Sequence, residues 1–92
     1  MDNKQISQVL QEIGDILEIK GENRFRVNAY HNAARSVLSY PKDLRTIVDR
    51  NPKDLEKIPG IGVNMKNLIY SLLTDGTSLE LERIRESIPS GL

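Results

Sequence analysis

The 92-residue chain has no cysteine and no tryptophan, and its aromatic residues are three tyrosines and one phenylalanine. The missing thiols exclude a disulfide framework and every thiolate metal site, and suit a reducing compartment. A single histidine, His31, leaves no His-rich metal set either. No apolar run approaches the roughly 18 residues that span a bilayer. The opening Met1-Asp-Asn-Lys-Gln has neither the basic nor the apolar region of a secretory leader, so a cytoplasmic protein is expected, nucleoid-associated if bacterial. Excess charge is also missing. Thirteen Lys plus Arg balance thirteen Asp plus Glu. That balance removes the broad basic field behind most non-specific affinity for nucleic acid, so any such contact must be local.

What remains is helical pattern. With 38% hydrophobic residues, the length suffices for one domain, 1–92, with one modest core, either whole or a piece of a longer protein. Ile6, Val9, Leu10, Ile13, Ile16 and Leu17 recur at spacings of three and four, which predicts a helix from about Asn3 to Ile19, stopped at Gly21. Asn23 is a good cap for a second helix, with Phe25, Val27, Tyr30, Ala33, Ala34, Val37 and Leu38 as apolar positions before Ser39-Tyr40-Pro41. A short helix is expected over Asp43–Asp49. Another, Pro52–Ile58, has its proline at the first helical position. Met65, Leu68, Ile69 and Leu72 mark a helix over Val63–Leu73 that closes at Asp75-Gly76. Thr77 or Ser78 caps a last one carrying Leu79, Leu81, Ile84 and Ile88 before Pro89-Ser90-Gly91-Leu92. The fold class is all-α, a compact bundle of five to six short helices without strands.

The informative unit is Leu55-Glu-Lys-Ile-Pro-Gly-Ile-Gly-Val-Asn-Met-Lys-Asn-Leu-Ile69, two apolar-patterned helices around a Pro-Gly-Ile-Gly turn, which is a helix-hairpin-helix. Amides at the start of its second helix have no intrahelical partners, and the dipole there is positive, which suits a phosphate. Gly60 and Gly62 equally suit a tight turn with no ligand at all. Ile61 is expected to plug the core, and Leu55, Ile58 and Ile69 to clamp the two helices. Lys53, Lys57 and Lys66 lie around the hairpin, either as flanking phosphate contacts or as solvated lysines. Phe25 is either a core residue or a ring for stacking on an unpaired base. His31 is expected at the surface.

The run Gly21-Glu-Asn-Arg-Phe-Arg-Val-Asn-Ala-Tyr-His-Asn-Ala-Ala-Arg35, followed by Leu55 to Ile69, resembles the amino-terminal 8-kilodalton, lyase-type domain of family X DNA polymerases, the bacterial branch above all. The resemblance covers nearly the whole chain. It implies a module that binds gapped or 5′-phosphorylated DNA in repair or synthesis, acting as a monomer. On this resemblance Gly60, Ile61, Gly62, Asn64, Lys66, Arg26, Tyr30 and Lys57 are the DNA-contact candidates. The carbonyls of Ile58 and Ile61 would hold a sodium or potassium ion. No other cofactor and no side-chain metal ligand is implied.

The departures are specific. The family's hairpin helix commonly reads G-I-A-E-K-I, and its lysine is the nucleophile for deoxyribose-phosphate removal, whereas here Leu68 takes that place. Lys66, two residues earlier, is rotated about 200° away on the helix. The polymerase palm has no counterpart, so no catalytic residue is assigned. Asn64 stands where relatives commonly have a lysine or glycine, His31 and Asn32 where basic residues are frequent, and Glu80 where a lysine is common, which with the zero net charge implies a weakened grip on DNA. Beside the DNA-binding reading stand two others: a lyase using a non-standard lysine, and a degenerate domain serving as a protein-interaction scaffold.

Overall fold

A computed structural model describes residues 1–87. Five α-helices and one 3₁₀ helix follow one another: α1 Asn3–Ile19, α2 Arg24–Ser39, α3 Leu44–Arg50, the 3₁₀ helix Pro52–Lys57, α4 Val63–Asp75 and α5 Leu79–Glu86. Among the described residues there is no strand, as the helical patterning requires. The Pro52–Lys57 element winds tighter than an α-helix. Ile88 and Pro89-Ser90-Gly91-Leu92 lie outside the described residues.

The helix boundaries have local causes. Asp2 and Gln5 form a reciprocal capping box at the start of α1. At its end, Gly21 N–H reaches the Glu18 carbonyl and Glu22 N–H reaches that of Leu17, the paired bonds of a Schellman stop. Side chains of Asn23, Asp43, Asn51 and Ser78 accept from the first turns of α2, α3, the 3₁₀ helix and α5.

α1 and α2 form an antiparallel hairpin, and the other elements close over it. Ile6, Leu10, Ile13 and Leu17 of α1 are buried with Val27, Ala33, Ala34 and Val37 of α2, and with Leu44, Leu55, Ile69, Leu72 and Leu81 from the remainder. Three polar ties fix the packing. Ser7 donates to the buried Ala34 carbonyl at 2.7 Å. Asn3 bridges the α2–α3 link, donating to the Lys42 carbonyl and accepting from Leu44 N–H. Arg45 donates to the Leu73 carbonyl at the end of α4, at 2.7 Å.

Four positions depart from the apolar pattern or from its simplest reading. Phe25 is 86% exposed, so it is not a core residue, and Leu38 and Leu79 are also exposed. Phe25 and Leu79 stand in the first turns of α2 and α5, and Leu38 in the last turn of α2, where fewer neighbouring elements cover a helix. His31 is partly covered rather than free at the surface. Its imidazole lies over Gly14 of α1, and its Nε2 is 3.0 Å from Asp15 Oδ1. A Cβ at Gly14 would come within 2.4 Å of the ring, so Gly14 lets the two helices meet at this point.

Candidate nucleic-acid interface

The hairpin is built by its apolar residues. Leu55 and Ile58 from the first arm, Ile61 from the turn, and Met65, Leu68 and Ile69 from α4 are all buried. Ile61 is therefore the expected plug, and its N–H closes the turn on the Ile58 carbonyl at 3.0 Å. Gly60 has φ +86, a left-handed conformation that residues with a Cβ adopt only under strain. Gly62 has an ordinary extended backbone, φ −93 and ψ −169, and nothing lies within 4 Å of where its Cβ would be.

Gly62 is the N-cap of α4, and it gives that helix no side-chain hydrogen bond. Every other helix among the described residues has a side-chain cap. The first amides of α4 thus keep both their donor capacity and the positive dipole end with nothing from Gly62 to absorb them. An oxyanion there finds donors already aligned.

These amides border an open groove of about 710 Å³. Arg26, Ala29 and Tyr30 of α2 form one wall, at the i, i+3, i+4 spacing of a single helix face. Gly60, Gly62 and Asn64 form the hairpin side, and Glu80 of α5 closes the end. Five of the eight sequence-derived candidates therefore share one surface: Arg26, Tyr30, Gly60, Gly62 and Asn64. Ile61 lies beneath it in the core.

Neither lysine candidate lines this groove. Lys66 is largely covered and pairs with Glu56 of the 3₁₀ helix, Nζ to Oε2 3.2 Å. Lys57 is 80% exposed and pairs with Asp54 at 3.4 Å. Leu68, which the family resemblance set at the lyase nucleophile position, is buried. It faces a second groove lined also by Asp75, Glu80 and Glu82, with no lysine, arginine or histidine in its lining. The Lys66 amine is held in its ion pair, on neither groove.

Tyr30 is buried, and its hydroxyl donates to Glu80 Oε1. Burial, reinforced by the hydrogen bond and the carboxylate charge, pushes this phenol well above its usual range, while the Arg26 guanidinium acts in the opposite direction. Arg26 itself is half-exposed and lies 3.9 Å from Glu22, a loose pair that leaves its guanidinium available to the groove. Phe25, one residue before Arg26, presents its exposed ring one helical turn before Ala29. Glu80 stands out in the sequence only as a departure from a basic position; its hydrogen bond to Tyr30 is what the fold adds.

A family model described as helix-hairpin-helix domain matches residues 1–78. The chain belongs to the helix-hairpin-helix domain family. All 92 residues also align, at 30% identity, with the DNA polymerase/3'-5' exonuclease PolX of Bacillus subtilis (strain 168), of which they span 15% of the length. This is the branch that the Gly21–Arg35 and Leu55–Ile69 segments resemble. No helix among the described residues is long and apolar enough to cross a membrane.

Proposed function

We propose that the chain is a non-enzymatic, non-sequence-specific DNA-binding module that seats a backbone phosphate of gapped DNA on the α4 N-terminus. The observation that carries the reading is Gly62, a helix cap with no capping side chain and open space above it. The backbone of a nucleic acid is a ligand that needs such an approach, because main-chain amides are short donors that a neighbouring Cβ would screen. Membership of the helix-hairpin-helix family and the likeness to a DNA polymerase make DNA the phosphate source. Arg26 and Asn64 supply side-chain contacts, and Phe25 provides a sequence-tolerant face for a base exposed by the gap. The position of the relative suggests that the module serves a larger DNA-repair or synthesis enzyme.

A monovalent cation belongs to the same proposal. The Ile58 carbonyl accepts from Ile61 N–H and keeps one lone pair, so a sodium or potassium ion held there and at the Ile61 carbonyl would link the turn to the phosphate. Exchanging potassium for tetramethylammonium at constant ionic strength then weakens binding.

The decisive experiment titrates fluorescent single-nucleotide-gapped duplex with the wild type and with Gly62→Asp. Aspartate is a good N-cap and the backbone there is extended, so the variant folds, yet its carboxylate occupies the place of the phosphate. Binding by the wild type and its loss in Gly62→Asp support the proposal. Equal binding by both, or none at low salt, refutes it.

A further inference from the structure

The groove beside the hairpin is not a basic pocket. Its lining contains one cation, Arg26, and one anion, Glu80, so its formal side-chain charge is zero. Lys57 and Lys66, the nearest other cations on the hairpin, are paired with Asp54 and Glu56 outside it. Glu80 is anchored, because the Tyr30 hydroxyl donates to its Oε1 and so holds the carboxylate at the end of the groove while engaging the one phenol there. A phosphate entering this space meets the α4 amides and Arg26 on one side and a fixed negative charge on the other.

That arrangement discriminates between two kinds of phosphate. An internal phosphodiester carries one negative charge, which the helix end and Arg26 match. A terminal phosphate monoester carries about 1.5 to 2 negative charges near neutral pH, and the additional charge faces Glu80. We infer that Glu80 is the specificity residue of this groove, setting it to accept continuous phosphodiester backbone and to disfavour a 5′-terminal phosphate. The inference rests on the proposed seating of DNA at the hairpin and adds to it which strand chemistry the seat takes. If the additional charge comes within about 5 Å of the carboxylate, at the dielectric of a wet surface, it corresponds to roughly a fivefold change in affinity.

The test is a ratio. The 92-residue chain is titrated by fluorescence anisotropy with two single-nucleotide-gapped duplexes identical except for a 5′-phosphate or a 5′-hydroxyl at the downstream edge of the gap. Wild type, Glu80→Gln and Glu80→Lys are compared. Glutamine keeps an oxygen that accepts from Tyr30 and removes only the charge, so the fold is preserved. The expected result is a shift of the affinity ratio toward the 5′-phosphate duplex of about fivefold in Glu80→Gln, and a larger one in Glu80→Lys. An unchanged ratio in Glu80→Gln, with binding intact and still lost in Gly62→Asp, overturns the role of Glu80 while leaving the hairpin reading in place. Absence of binding to both duplexes, or binding indifferent to Gly62→Asp, overturns both.

Discussion

Gly60 and Gly62 are two residues apart, and alanine at each should produce opposite phenotypes. At Gly60 the nearest atoms to a new Cβ are 3.9 Å away, so there is no collision and the cost comes from the backbone alone, at φ +86. A left-handed non-glycine residue costs about 1–2 kcal/mol, and the reduced freedom of the unfolded chain returns about 0.4–1 kcal/mol. Gly60→Ala should therefore lose about 1 kcal/mol, or about 5 °C of Tm for a domain of this size. At Gly62 the backbone is extended and the space is open. The same unfolded-state gain there offsets most of the roughly 0.5–1 kcal/mol by which alanine is the poorer N-cap. Gly62→Ala should leave stability within about 0.5 kcal/mol of the wild type. DNA binding inverts the order. A methyl group at residue 62 stands in the path to the α4 amides, and losing one charge-assisted hydrogen bond of about 1.5–3 kcal/mol weakens Kd tenfold or more. Thermal melts and anisotropy titrations of both variants separate a glycine needed by the fold from one needed by a ligand. A Gly62→Ala protein that melts several degrees early, or that binds gapped DNA like the wild type, would sink the argument.

Other perturbations follow from the same structure. Ile61→Ala removes a buried plug and should cost about 2–4 kcal/mol in chemical denaturation, with DNA binding lost only in proportion to the unfolded fraction. Gly14→Ala drives a methyl group into the His31 ring and should cost about 1–3 kcal/mol, most of it recovered in a Gly14→Ala, His31→Ala double variant; additive losses would deny the contact. Glu12 accepts two hydrogen bonds from Arg85, at 2.6 and 2.9 Å, which with the guanidinium charge hold its carboxyl below the usual range. A lowered folded-state pKa stabilises above the ordinary carboxylate value and is lost as pH falls through the lowered one. The stability gap between wild type and Glu12→Gln should then be at most about 1 kcal/mol at neutral pH, since both partners are more than a third exposed, and should close in acid. Because Arg26 is the sole cation lining the groove, the slope of log Kd against log salt should correspond to about one to three phosphate contacts; a steep slope would place the DNA on another surface.

Most of the fold was legible in the sequence because its signals are local. Caps such as Asn23 and Ser78 act within three residues of themselves, and the apolar stripe of α1 is a property of one helix. The exceptions are equally physical. Phe25 fits a helical period, but that period says which face a residue is on, and not whether another element covers the first turn. His31 reads as a lone surface histidine until α1 is brought against α2, where a glycine seventeen positions earlier admits its ring.

The site divides in the same way. Its donors were legible because one turn, Pro59 to Gly62, leads directly into them at the start of α4, and the amide geometry is fixed by the chain direction of α4 itself. Its electrostatics were not, since charge is a sum over side chains that meet only in the folded state. Lys66 lies four residues from Gly62, yet it spends its charge on Glu56. Glu80 lies fifty residues from Tyr30 and is hydrogen-bonded to it. Sequence proximity therefore overstates the positive charge of the hairpin, and tertiary proximity brings the Glu80 carboxylate into the groove. A phosphate held here depends on main-chain amides more than on cations. An amide grip is short-ranged and little screened by salt, whereas a lysine cluster attracts any polyanion from a Debye length away. A groove built this way selects by the fit of the backbone to the turn, and a basic patch grafted onto it, such as Glu80→Lys with Asn64→Lys, should raise affinity for single-stranded and duplex DNA alike and steepen the dependence of binding on salt.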